Sequence, residues 1–102
     1  TVLDRVRTAA RTRILYLPHA VKQMALPERL ISTGEVEDVV LHGDILEDYP
    51  DDVRGHSCLL MGFPRGRPVH VVCSPRAEYL AIITAYLPDL AKWSPDFRRR
   101  ID

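Results

Sequence analysis

No apolar run in these 102 residues approaches the roughly 20 needed for a membrane-spanning helix. The N-terminus is charged and has no apolar stretch of the kind a secretory leader carries, so a cytoplasmic protein is expected. There is no Cys-x-x-Cys, no Cys/His cluster at zinc spacing and no pair of histidines at short ligand spacing. A metal hydrolase therefore has little to stand on, and neither a metal nor another cofactor is expected. The only cysteines, Cys58 and Cys73, lie in apolar strand-like runs and read as small core residues rather than a disulfide. An excess of one charge is lacking too. Fourteen Lys and Arg balance 14 Asp and Glu, so there is no global attraction to nucleic acid. Without an internal repeat, a linker or a low-complexity segment, residues 1–102 read as a single domain.

What is present is segregated charge. Residues 1–34 hold six bases against two acids, residues 35–52 hold eight acids and no Lys or Arg, and residues 53–102 hold eight bases against four acids. Twelve of the 14 bases are Arg, whose planar fork suits phosphate, although an Arg-rich coding bias gives the same count. The acidic stretch reads either as a solvated strand edge that discourages pairing or as a docking surface for a basic protein such as an antitoxin.

Val2, Leu3, Val6, Ala9, Ala10 and Ile14 recur at helical spacing, with Arg5, Arg7, Arg11 and Arg13 between them. Residues 2–14 are therefore predicted as an amphipathic helix, either solvated on its basic face or an arm that touches RNA or a partner. Tyr16-Leu17-Pro18 interrupts it. A second helix opens at Pro18 and His19, turns Ala20, Val21 and Met24 inward, and stops at Pro27. Ser32 and Glu35 form a capping box for a third helix, Thr33 to His42, with Val36, Val39 and Val40 as its apolar stripe and Gly43 at its C′ position. Strands follow at 44–49, with Ile45, Glu47 and Tyr49 on one face, and at 56–63, each closed by a Pro/Gly turn. Leu90 to Trp93 makes a short tail contact, and residues 94–102 are a basic tail, frayed from Phe97 to Asp102. The expected architecture is α+β, with N-terminal helices packed on one face of a four-stranded antiparallel β-meander. The other face should stay partly open, because too few residues follow the last strand to cover it.

The runs Arg67–Ser74 and Leu80–Tyr86 are separated by a polar turn and read as a hairpin. Alternation puts Val69, Val71 and Cys73 on one face of the first strand and Ala81, Ile83 and Ala85 on one face of the second, as candidate core. The opposite faces carry His70, Val72 and Ser74, and Ile82, Thr84 and Tyr86. A register that joins those faces gathers an imidazole, a hydroxyl and a phenol.

His19-Ala20 with Lys22 and Met24, Arg29-Leu30-Ile31, Glu35-Val36 and Gly43 form a spaced pattern. Asp48-Tyr49-Pro50-Asp51-Asp52, Gly66-Arg67-Pro68-Val69-His70-Val71-Val72 and Ile83-Thr84-Ala85-Tyr86 continue it. Over about residues 17–93 this pattern resembles the bacterial domain-of-unknown-function family 4258. It departs from the family's usual Arg-Met at Lys22-Gln23-Met24. The resemblance implies a fold related to the RelE-like toxins and the wider barnase/EndoU/colicin-type nucleases. Those proteins pack helices on one face of a small antiparallel sheet and use the other face on RNA.

Metal-independent RNA cleavage needs a base for the ribose 2′-OH, an acid for the leaving oxygen and a cation for the phosphate. Imidazole suits the first two roles and Arg or Lys the third. The candidates are His70 and His19 for proton transfer, Arg29, Arg67 or Lys22 for phosphate, and Tyr86 with Thr84 for orientation. Tyr86 can also stack on a base. Each has a plainer reading: His70 as a core histidine bonded to Tyr86 or Thr84, His19 at a helix start, Arg29 paired with an acid, Tyr86 as a rim aromatic. The expected function is thus an RNA-acting domain, an endoribonuclease toxin held by an antitoxin-like partner. Its alternative is a non-catalytic protein-interaction domain of the same fold. An open groove lined by His70, Thr84 and Tyr86, with His19 or Arg29 in reach, distinguishes the two.

Overall fold

The computed structural model describes residues 1–101. Helix α1 (Val2–Thr12) starts with a capping box, in which Thr1 accepts from the Asp4 amide and Asp4 accepts from the Thr1 amine. It buries Val6 and Ala9 and ends two residues short of the predicted boundary. Ile14, expected on the helix, instead opens strand β1 (Ile14–Tyr16). The helix has already ended at Thr12, and the apolar run Ile14–Tyr16 reaches the edge of the sheet, pairing parallel with Leu80–Ile82, while Leu17, the residue before Pro18, is extended. The sheet therefore has five strands rather than four, with β1 added to the antiparallel meander.

Pro18 fixes the first turn of α2 (Pro18–Met24), which buries Ala20 and Met24. Val21, expected inside, is 54% exposed. Helix α3 (Thr33–His42) has the expected capping box between Ser32 and Glu35 and buries Val36, Val39 and Val40. Gly43 follows with φ −76°, outside the left-handed region expected of a C′ glycine. Its role is space: a Cβ there would lie 2.5 Å from the Met61 carbonyl oxygen and 2.6 Å from that of Val39.

Strands β2 (Asp44–Tyr49), β3 (Ser57–Gly62), β4 (Val69–Pro75) and β5 (Leu80–Tyr86) complete the sheet in the order β1-β5-β4-β3-β2, with a short 3-10 turn at Pro64–Gly66. Two bulges change the predicted faces. In β2 the register shifts at Leu46, so Ile45 opposes Leu60 while Glu47 opposes Leu59 on the other face. In β5 it shifts at Ile83, so Cys73 opposes Ile82, and Val71 opposes Ala85. Ile82 and Leu80 thus join Ala85 in the core, where alternation had put Ala81 and Ile83. The three helices cover this face, against Cys58, Leu60, Val69, Val71 and Cys73. Cys58 and Cys73 stand opposite one another as free, buried thiols. Among the described residues no helix is long and apolar enough to cross a membrane.

The second face is open only in part, at a cleft lined by Val72, Thr84 and Tyr86. Residues 88–101 fold back across it and bury Trp93 to 3% exposure. This segment is closed by its own backbone bonds, Ser94 to Arg99 and Ile101 to Lys92, with Trp93 bridged to Arg100. Arg98 pairs with Asp44 at 3.2 Å and Arg100 with Glu47 at 2.9 Å, so the basic end is docked rather than frayed.

Candidate functional site

The register sets His70 opposite Tyr86 and Val72 opposite Thr84, so the mixed faces of the hairpin do meet. His70, however, is fully buried. Trp93 packs edge-on against its ring, with centroids 4.5 Å apart, and Tyr86 lies 5.2 Å away on another side. Nδ1 lies 3.1 Å from the Tyr86 hydroxyl, and Nε2 lies 2.9 Å from the Phe97 carbonyl oxygen. Phe97 presents that carbonyl from a left-handed backbone conformation, φ 63°. Burial drops the His70 pKa from 6.5 to about 4, so the ring is neutral at pH 7. The Tyr86 phenol is raised, also by burial, and stays protonated.

Beside this buried cluster lies an open cleft of about 620 Å³. Gln23, Glu28 and Arg29 form one wall, Thr84, Tyr86 and Val72 contribute the sheet side, and Asp89, Lys92 and Trp93 come from the C-terminal segment. Three of the predicted residues, Arg29, Thr84 and Tyr86, therefore converge. Arg29 donates to Gln23 Oε1 at 2.6 Å, an amide rather than the expected acid. Lys92 is exposed at the rim, and Arg100 also reaches the cleft while its guanidinium sits over Trp93, 4.7 Å from the ring centroid. Lys92 and Arg100 went unnoticed in the sequence because their place depends on how the tail folds back. The complementary charges of Arg98–Arg100 and the 44–47 acids were the available signal.

The other predicted site residues lie elsewhere. His19 and Lys22 are exposed on α2 and do not line the cleft. Arg67 does not reach it either. Its Nε and one terminal nitrogen bond to Glu35 at 2.9 and 3.0 Å, and its remaining donors reach the carbonyls of Arg29 and Leu30 at 2.8 and 3.1 Å. The guanidinium holds the Glu35 carboxyl below its usual range, chiefly through these hydrogen bonds. Leu30 is left-handed, φ 48°, a strained conformation for a leucine. Arg67 thus pins the strained loop that delivers Arg29 to the cleft.

The acidic stretch is largely occupied by the chain itself. Asp44 and Glu47 hold Arg98 and Arg100, Asp48 bonds His56, and Asp52 bonds Arg54 and Ser57. Its reading as a docking surface for a basic partner loses most of its free carboxylates. Among the described residues, no three His, Cys, Asp or Glu side chains gather as a metal-binding group.

No curated protein and no solved structure matches the chain. One family model does, "Domain of unknown function (DUF4258)", over residues 16–87. The match starts at the last residue of β1, Tyr16, runs through β5 and ends just before the segment that closes over His70. With well over half of its length matched, the chain belongs to the DUF4258 family.

Proposed function

We propose that this protein is a RelE-like domain that binds single-stranded RNA in the cleft between α2 and the C-terminal segment. The observation that carries this reading is the convergence of Arg29 and Lys92 on a groove whose sheet side presents Thr84 and Tyr86. Arg29 and Lys92 suit successive phosphates, the charge of Arg100 being taken up by Glu47, and the hydroxyls with the Gln23 amide suit ribose and base edges. Cleavage would need a base at the reacting 2′-OH. His70 reaches the cleft only through Tyr86, whose raised pKa keeps it a phenol. Binding is therefore better supported than an endoribonuclease or toxin activity.

The test is fluorescence anisotropy with a short labelled RNA across a salt series. Two phosphate contacts give a log–log salt slope of about −1.4 on a single strand. Arg29→Ala combined with Lys92→Ala should flatten that slope towards zero. Absence of binding at low salt, or a slope unchanged in the double variant, rejects the reading.

Protein binding, with an antitoxin-like partner, is the second reading. It is favoured by an apolar hollow of about 280 Å³ lined by Tyr16, Val21, Met24, Ala25 and Ile31. Val21 and the nearby Leu30 are 54% and 66% exposed.

A further inference from the structure

We propose that Tyr86 meets the cleft's ligand purely as a hydrogen-bond acceptor, so that the cleft selects RNA over DNA by accepting from a ribose 2′-hydroxyl. This inference rests on the RNA reading above and specifies the ligand group that Tyr86 contacts.

The argument runs through the buried imidazole. A backbone carbonyl can only accept. The Phe97 oxygen, 2.9 Å from Nε2, therefore fixes the His70 proton on Nε2. A neutral imidazole has one N–H, which leaves Nδ1 as a bare lone pair. The Tyr86 hydroxyl, 3.1 Å from Nδ1, must then donate to it. Its only hydrogen is turned into the protein, away from the cleft that Tyr86 lines. Among the described residues no other hydrogen-bond partner is assigned to that oxygen. What remains for a ligand is the lone-pair side of Oη, which satisfies a donor and nothing else. A 2′-hydroxyl can supply that donor, whereas a 2′-hydrogen, a 2′-fluorine and a 2′-methoxy group cannot. His70 is thus a positioning residue for Tyr86, and its tautomer is set from the C-terminal segment, outside the family-matched residues.

The test compares four oligonucleotides of one sequence carrying 2′-hydroxyl, 2′-deoxy, 2′-fluoro or 2′-methoxy sugars. The 2′-fluoro strand keeps an RNA-like sugar pucker but cannot donate. Wild type should bind the ribose strand about tenfold more tightly than the 2′-fluoro strand, the worth of one such hydrogen bond. Tyr86→Phe should bind both alike, at the level wild type shows for the 2′-fluoro strand. Wild type that binds ribose and 2′-fluoro strands equally overturns the inference while leaving cleft binding in place. Discrimination that persists in Tyr86→Phe also overturns it, because another group is then reading the hydroxyl. If none of the four binds, the RNA reading falls and this inference falls with it. The wild-type ratio needs no variant, so the test stands even if Tyr86→Phe folds poorly.

Discussion

Replacing Arg67 with Ala should destabilise the fold and release the Arg29 loop together. Glu35 is 3% exposed and takes two hydrogen bonds from Arg67. Removing the guanidinium leaves its carboxylate buried with only Ser32 as a partner, and frees the carbonyls of Arg29 and Leu30. Breaking a buried ion pair costs about 3–5 kcal/mol. The Arg67 side chain is 35% exposed, so water can compensate in part, and about 2–3 kcal/mol is expected. For a domain of this size that is roughly 10–20 °C in Tm. Arg67→Lys should recover less than half, because a point charge cannot bridge the carboxylate and both carbonyls. Urea denaturation across pH separates the electrostatic part. Glu35 has a folded pKa below its ordinary 4.5, so its contribution is full above that value and is lost as pH falls through the folded pKa. In Arg67→Ala this acid-sensitive part should largely vanish. Stability within about 0.5 kcal/mol of wild type, the range of an ordinary surface change, would refute the assignment of Arg67 as the loop's anchor.

Three further outcomes follow from the same geometry. Gly43→Ala drives a Cβ to 2.5 Å from the Met61 carbonyl oxygen and should cost about 1–3 kcal/mol in urea denaturation. His70 has its pKa lowered from 6.5 to about 4. The unfolded chain therefore takes up a proton between those values that the folded chain refuses, and stability should fall by roughly 3 kcal/mol as pH drops through that window. An NMR titration of the His70 ring with a midpoint near 6.5 would contradict this. Trp93→Ala opens one side of that ring and should cost about 3–5 kcal/mol. It should also move the His70 midpoint up towards 6.5, a change that mere loss of packing elsewhere would not produce.

Helix α3 was legible from sequence because its signals are local. Ser32 and Glu35 lie one turn apart, and Val36, Val39 and Val40 mark the inward face. The hairpin was legible for the same reason along β4 and from Thr84 to Tyr86, but a bulge at Ile83 with no local signature reversed the faces of Leu80–Ile82. Strand β1 was hidden because Ile14 continues the helical pattern and Tyr16 reads as its break, and the three residues gain their strand identity only from Leu80–Ile82, far along the chain. Of the site, Thr84, Tyr86 and Arg29 could be named from type and position. His70 could be named but not placed, because its burial depends on Trp93 and Phe97 folding back across the sheet. Arg67 reads as a phosphate ligand from sequence because a guanidinium suits a phosphate and a buried carboxylate equally. Only the three-dimensional position of Glu35 decides between them.

The most direct test of the central claim is an NMR titration of the ¹⁵N-labelled protein with short single-stranded RNA, following backbone and side-chain resonances. Cleft binding predicts shifts concentrated at Gln23, Arg29, Thr84, Tyr86 and Lys92, which line one groove. Shifts confined to the basic face of α1, at Arg5 and Arg11, or no shifts at low salt, would contradict it.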